Sequence, residues 1–168
     1  MDPATDPQLA SPAVPLEHAA PRALVHWRLF ALAYDFWPVL ALWMLVSSAF
    51  TLGYYFCGHA ARQNIAPFSA LQWLLWLCCW IVAGLYATAS WRRGGQTLGM
   101  RPWRLYLRGA DGALPGRGAL WRRFAMGTLS LAAGGLGFWW ACIDRDRLTW
   151  HDRFSGTRLV RMPKSPPQ

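Results

Sequence analysis

One carboxylate constrains this chain more than any other residue. Asp35 lies in the apolar run Leu29–Gly53, which holds no other charged side chain. A carboxylate in hydrocarbon costs at least ~2.5 kcal/mol on insertion scales, so it is kept where it faces a partner or a water-filled cavity. Arg28 precedes it by seven residues, two helical turns, which puts both side chains on one helix face roughly 10 Å apart along the axis. Two readings follow: a functional carboxylate in a membrane helix, or an ion pair that fixes helix packing. Pro38 falls in the same run and cannot donate to the carbonyl of Tyr34. A kink is expected there, either as ordinary bending or as a free oxygen beside Asp35 for a cation or water.

Hydrophobic residues make up 54% of the 168-residue chain, and they come in long blocks rather than in the periodic spacing of a soluble core. The length suits one domain. A second uncharged run, Ser69 to Ser90, has Trp73, Trp76 and Trp80 for bulk. Its small residues Ala83, Gly84, Ala87 and Thr88 permit close helix approach. A third block, Phe124 to Ile143, is 20 residues long but is interrupted by Gly134, Gly135 and Gly137. Tyr54 and Tyr55 are expected in the first connection, as part of an interfacial belt.

Basic residues separate the topologies. Two, Arg22 and Arg28, come before or at the first run; Arg62 is alone in the first connection; eight arginines lie between Trp91 and Arg123; six basic residues follow Ile143. Three full crossings would leave ten on one face and seven on the other, whereas a third block returning to its own side leaves sixteen and one. The positive-inside rule favours the second count. Between the spans, Trp103, Leu105 and Leu107 alternate with Arg104, Tyr106 and Arg108 at strand period, with Ala110-Asp111-Gly112 as a turn signal. Thr157 to Met162 is the expected pairing strand.

These features predict an all-α integral membrane protein with two full transmembrane helices, a third broken apolar block (re-entrant or a hairpin) and a small cytoplasmic β element. Both termini are expected on the cytoplasmic side. Residues 1–21 hold three acidic side chains, five prolines and no Lys or Arg, which reads as a disordered tail and not as a secretory signal. The membrane domain is expected over residues 22–162, with a short tail at 163–168.

Other function classes fit poorly. The formal net charge of +9 flanks apolar spans instead of forming one soluble face, so anionic lipid at the cytoplasmic surface is the expected partner and nucleic acid is not. Cys57, Cys78, Cys79 and Cys142 lack CxxC spacing, and His18, His26, His59 and His151 lack ligand spacing, so no metal site is expected. His151 adjoins Asp152, but neighbours on a strand point apart and no nucleophile motif is near. No phosphate-cradling glycine motif follows a strand. Neither an enzymatic activity nor a cofactor is expected.

Three segments occur in order on this hydropathy pattern: Arg28-Leu-Phe-Ala-Leu-Ala-Tyr-Asp35, Gly94-Gly-Gln-Thr-Leu-Gly-Met100 and Thr149-Trp-His-Asp-Arg-Phe-Ser-Gly-Thr157. Together they resemble the RDD family of small bacterial membrane proteins, named for one Arg and two Asp. The similarity runs from about Arg22 to Met162. The resemblance implies that Arg28 and Asp35 are the Arg and the first Asp, and that Asp152 is the second, with Asp144 as the alternative. It also implies a bacterial inner (plasma) membrane location and suggests involvement in transport.

The expected site is a cytoplasm-facing polar cluster of Arg28, Asp35 and Asp152, supported by Tyr34, Arg122, Arg123, Asp144 and His151. An arginine near either carboxylate favours its charged form, and burial opposes it. One functional expectation is a transport-related protein, self-associated because so few spans make a thin pathway, that moves a proton, cation or small solute through Asp35. The other is a non-transporting membrane module that binds or stabilises a partner complex.

Overall fold

The computed structural model describes residues 24–58 and 65–162. The expected tails at 1–21 and 163–168, and the charges of Arg22, Arg62 and Lys164, lie outside the described residues. The chain divides into two compact units, one of residues 26–105 and one built mainly from residues 106–162.

The first unit holds two long helices, α1 (Val25–Phe56, 32 residues) and α2 (Ala70–Gly94, 25 residues). At 1.5 Å per residue they measure about 48 and 38 Å, more than the ~30 Å of a bilayer's hydrocarbon core. Each holds an 18-residue stretch of mean hydropathy 1.8 or 1.7 respectively, so both are long and apolar enough to cross a membrane. α1 continues through Pro38, so one helix absorbs the missing donor. It also continues past Gly53, so Tyr54 and Tyr55 belong to its last turn and not to the connection.

α2 starts where the Ser69 side chain accepts from Gln72 N, and it stops at Gly95, which is left-handed at φ 71° and donates to Trp91 O. Arg92 and Arg93 close its last turn, where cations suit the helix dipole. The small face read from the sequence, Ala83, Gly84, Ala87 and Thr88, is the buried face of α2. α1 and α2 are joined at two levels. Tyr86 donates to Asp35, and Trp43 Nε1 donates to Cys79 O at 2.9 Å. Advancing along α1 from 35 to 43 means retreating along α2 from 86 to 79, so the pair is antiparallel.

The second unit contains β1 (Leu105–Gly109, its first residue being the last of the first unit), α3 (Arg117–Ala132), α4 (Leu136–Ile143), α5 (Trp150–Ser155) and β2 (Thr157–Arg161). β1 and β2 form a two-stranded sheet, the pairing expected from the alternation, and Leu105 and Leu107 are fully buried. The strand starts at Leu105 and not at Trp103. Arg104 takes a left-handed φ of 52° and donates to Arg101 O, which keeps residues 101–104 in a turn. The turn expected after β1 is present: Gly112 has φ 81°, and Ala113 N donates to Asp111 Oδ1 at 3.1 Å.

The helix that opens the third apolar block starts before it, since α3 already takes in Arg117, Arg122 and Arg123. Gly134 and Gly135, at φ 69° and 81°, end it. Such angles are nearly free for glycine and strained for other residues. The chain then turns by 98° into α4. The block is therefore broken, as its glycines imply, but as a right-angle corner instead of an antiparallel hairpin. α4 seats on α3 through Gly137: a Cβ there would lie 2.4 Å from Ser130 Oγ.

Candidate functional site

Asp35 sits ten residues into α1, and its carboxylate is held by three donors. Oδ1 accepts from the Tyr86 hydroxyl at 2.7 Å and from Gly99 N at 2.9 Å. Oδ2 accepts from the Thr97 hydroxyl. Tyr86 comes from α2, while Thr97 and Gly99 come from the connection that follows it. Arg28 is buried on the same helix but is not among these partners. All three donors are neutral.

The connection can reach Asp35 because of its glycine. A Cβ on Gly99 would lie 2.1 Å from Ala31 O and 2.8 Å from both Asp35 N and Asp35 Cγ. The backbone of residue 99 thus rests directly on α1. Thr97 and Gly99 belong to the family-like segment Gly94–Met100, which sequence reading noted without linking it to Asp35. Further along, Trp103 packs on Trp27, Phe30 and Tyr34, with ring centroids 4.9, 5.3 and 6.1 Å away. Tyr34 thus meets an aromatic ring and is otherwise exposed.

The proton directions in this node differ. Tyr86 accepts from Leu98 N at 3.3 Å and donates to Asp35 Oδ1. Gly99 N can only donate. The Thr97 hydroxyl can donate or accept, because a hydroxyl carries one proton and two lone pairs. The Oδ2 side can therefore reverse while Gly99 N and Tyr86 stay on Oδ1.

Asp152 belongs to the other unit. Its Oδ1 accepts from Arg123 Nη1, an ion pair whose side chains are 0% and 6% exposed. Its Oδ2 accepts from Thr149 N at 3.2 Å, and Thr149 Oγ1 accepts from Asp152 N at 3.3 Å, so the pair forms a capping box at the start of α5. Arg123 also donates to Thr157 Oγ1 at 2.8 Å, and Gly156 ends α5 in a left-handed cap. His151 and Asp152 are thus helical, not on a strand, and His151 is buried against Phe138 with ring centroids 4.8 Å apart. The Thr149-x-x-Asp152 spacing is itself a capping-box signal. Reading the segment as extended hid it.

Asp144 organises the turn between α4 and α5. It accepts from Leu148 N at 3.0 Å and from Arg153 Nη2 at 2.7 Å. The Leu148 N–H, opposed by burial and helped by Arg153, holds its carboxyl below the usual carboxylate range. Arg122 is exposed on α3. Among the expected site residues, Arg28, Tyr34 and Asp35 fall in the first unit, and Arg122, Arg123, Asp144, His151 and Asp152 in the second.

A family model described as the RDD family matches residues 22–156, well over half of the chain. No curated protein and no solved structure matches. Both motif segments that build the Asp35 node lie within the match, as does Asp152. The chain belongs to the RDD family.

Proposed function

We propose that this is an integral membrane protein of the bacterial inner membrane, with both termini cytoplasmic, that takes part in transporting a proton, a cation or a small solute through Asp35. One observation carries the reading: among the described residues, a carboxylate inside an apolar helix accepts from three neutral donors, and one of them, the Thr97 hydroxyl, can reverse. When Asp35 is ionised, Thr97 donates to Oδ2. When Oδ2 carries a proton, Thr97 accepts from it, while Gly99 and Tyr86 keep donating to Oδ1. The site can gain and lose a proton without being rebuilt. A cation at Oδ2 is accommodated by the same rotation. We further propose that the protein is not an enzyme, and that copies associate so that more than two long helices line the path.

The test is flux in proteoliposomes under a proton gradient, with sodium and potassium as probe cations, at equal amounts of folded protein. Asp35→Asn preserves the node: its oxygen replaces Oδ1 and its amide donates to Thr97. It is expected to fold and to abolish flux. Thr97→Val is expected to impair flux and Thr97→Ser to keep it. Equal flux from wild type and Asp35→Asn would remove Asp35 from the pathway.

A second reading is a non-transporting module that binds or stabilises a partner. The close seat of Gly99 on α1 favours it, since Asp35 then acts as a clasp for the connection. This reading expects no flux and a co-purifying partner whose binding survives Asp35→Asn.

A further inference from the structure

We infer that α4 lies in the plane of the membrane surface as an interfacial anchor, with its outer face among the lipid headgroups and upper acyl chains. The inference rests on the membrane reading above. α4 has eight residues, about 12 Å, too short to cross anything. Its inner face, Gly137, Phe138 and Ala141, is buried. Its outer face is Leu136, Trp139, Trp140 and Ile143, which are 58%, 57%, 44% and 81% exposed. Their spacing of i, i+3, i+4 and i+7 makes one continuous apolar stripe. Two of the four are tryptophans, the side chain most at home at the headgroup level.

The corner supplies the orientation. α3 enters with exposed Arg117 and Arg122 near its start and exposed Leu129 and Leu131 near its end. Its apolar part, residues 124–132, spans only about 14 Å, too short to cross the ~30 Å hydrocarbon core. The chain then turns by 98° at Gly134 and Gly135, so with α4 in the surface plane α3 stands along the normal, its Leu129–Leu131 end toward the lipid and its Arg117–Arg122 end toward water. α4 ends directly in Asp144-Arg145-Asp146-Arg147, a charged run suited to the water side of the same surface. An anionic-lipid bilayer meets both demands: acyl chains for the stripe and headgroups for exposed Arg145.

The experiment places a single nitroxide label, in a variant with the four native cysteines replaced, at 136, 139, 140 or 143 of the full-length protein. The protein is reconstituted in vesicles of phosphatidylcholine with phosphatidylglycerol, and depth is read from the balance of oxygen and nickel-chelate collisions. Labels at 44 and 45 on α1 serve as deep references. The expected result is one shared shallow depth for all four α4 positions, with 44 and 45 deep. Depth changing steadily from 136 to 143, by about 1.5 Å per residue, would mean that α4 points along the bilayer normal and would overturn the inference, as would one shared depth as great as that at 44 and 45. Exclusion of both reagents at all four positions would mean that protein covers the stripe, and would overturn it too. If 44 and 45 are also water-exposed, the membrane reading itself fails; if only the α4 pattern fails, that reading stands.

Discussion

Gly99 donates its backbone N–H to Asp35 at 2.9 Å from a position where a methyl group would overlap the backbone of α1. The clash is with Ala31 O and Asp35 N, neither of which can swing aside. Gly99→Ala is therefore expected to lift the 95–100 connection off α1, with overpacking alone costing about 1–3 kcal/mol. Thermal unfolding of the detergent-solubilised protein measures this. An unchanged midpoint would show that the connection is not held as described.

Asp35→Asn and Asp35→Ala separate shape from charge. Asparagine can satisfy all three partners once the Thr97 hydroxyl turns, and alanine satisfies none. Alanine is expected to be worse than asparagine by several kcal/mol, because each hydrogen bond to the carboxylate is worth about 1.5–3 kcal/mol. Tyr86→Phe removes one donor and should fall between them. Unfolding midpoints in that order support the geometry, and an Asn variant as unstable as Ala contradicts it.

Asp152 caps α5 with one oxygen and neutralises Arg123 with the other. Asp152→Ala takes away both, and breaking a buried pair costs about 3–5 kcal/mol. The double change Asp152→Ala with Arg123→Met no longer buries a guanidinium beside the lost carboxylate, so it should recover part of that loss. A double-mutant cycle on unfolding free energies reads the coupling. Strict additivity of the two single changes would argue against the pair.

The turn between α4 and α5 should loosen in acid. Asp144 has a depressed folded-state value, so its contribution is present above the unfolded value of about 3.9 and is lost as pH falls through the lower folded value. Hydrogen exchange at the Leu148 amide, corrected for intrinsic rates, should speed up below that range in wild type. In Asp144→Asn it should be fast already at neutral pH and show no such step.

Some of this was legible from residue patterns alone. Asp35 in an uncharged run, the small face of α2, the glycine break after Ala132 and the two short strand segments all follow from local sequence. The partners of Asp35 do not, because Tyr86, Thr97 and Gly99 are 51 to 64 residues away and carry no charge. Arg28 attracted attention instead, since an opposite charge on the same helix face is the partner that spacing suggests. Yet two turns along one helix is a poor distance for a salt bridge, and neutral donors can stabilise a carboxylate as well. The double duty of Asp152 was hidden for a different reason: the capping spacing was present in the sequence, but a six-residue helix has too few positions to show a period.

The node at Asp35 has a consequence for how the chain is made. Its last donor, Gly99, is 64 residues downstream. At about 5–20 residues per second, a ribosome reaches it roughly 3–13 s after Asp35 has been synthesised. On the membrane reading, α1 leaves the insertion machinery as an orphan, with its carboxylate still waiting for the second helix. The order of synthesis thus sets the order in which the node closes: the bond from Tyr86 can form before those from Thr97 and Gly99.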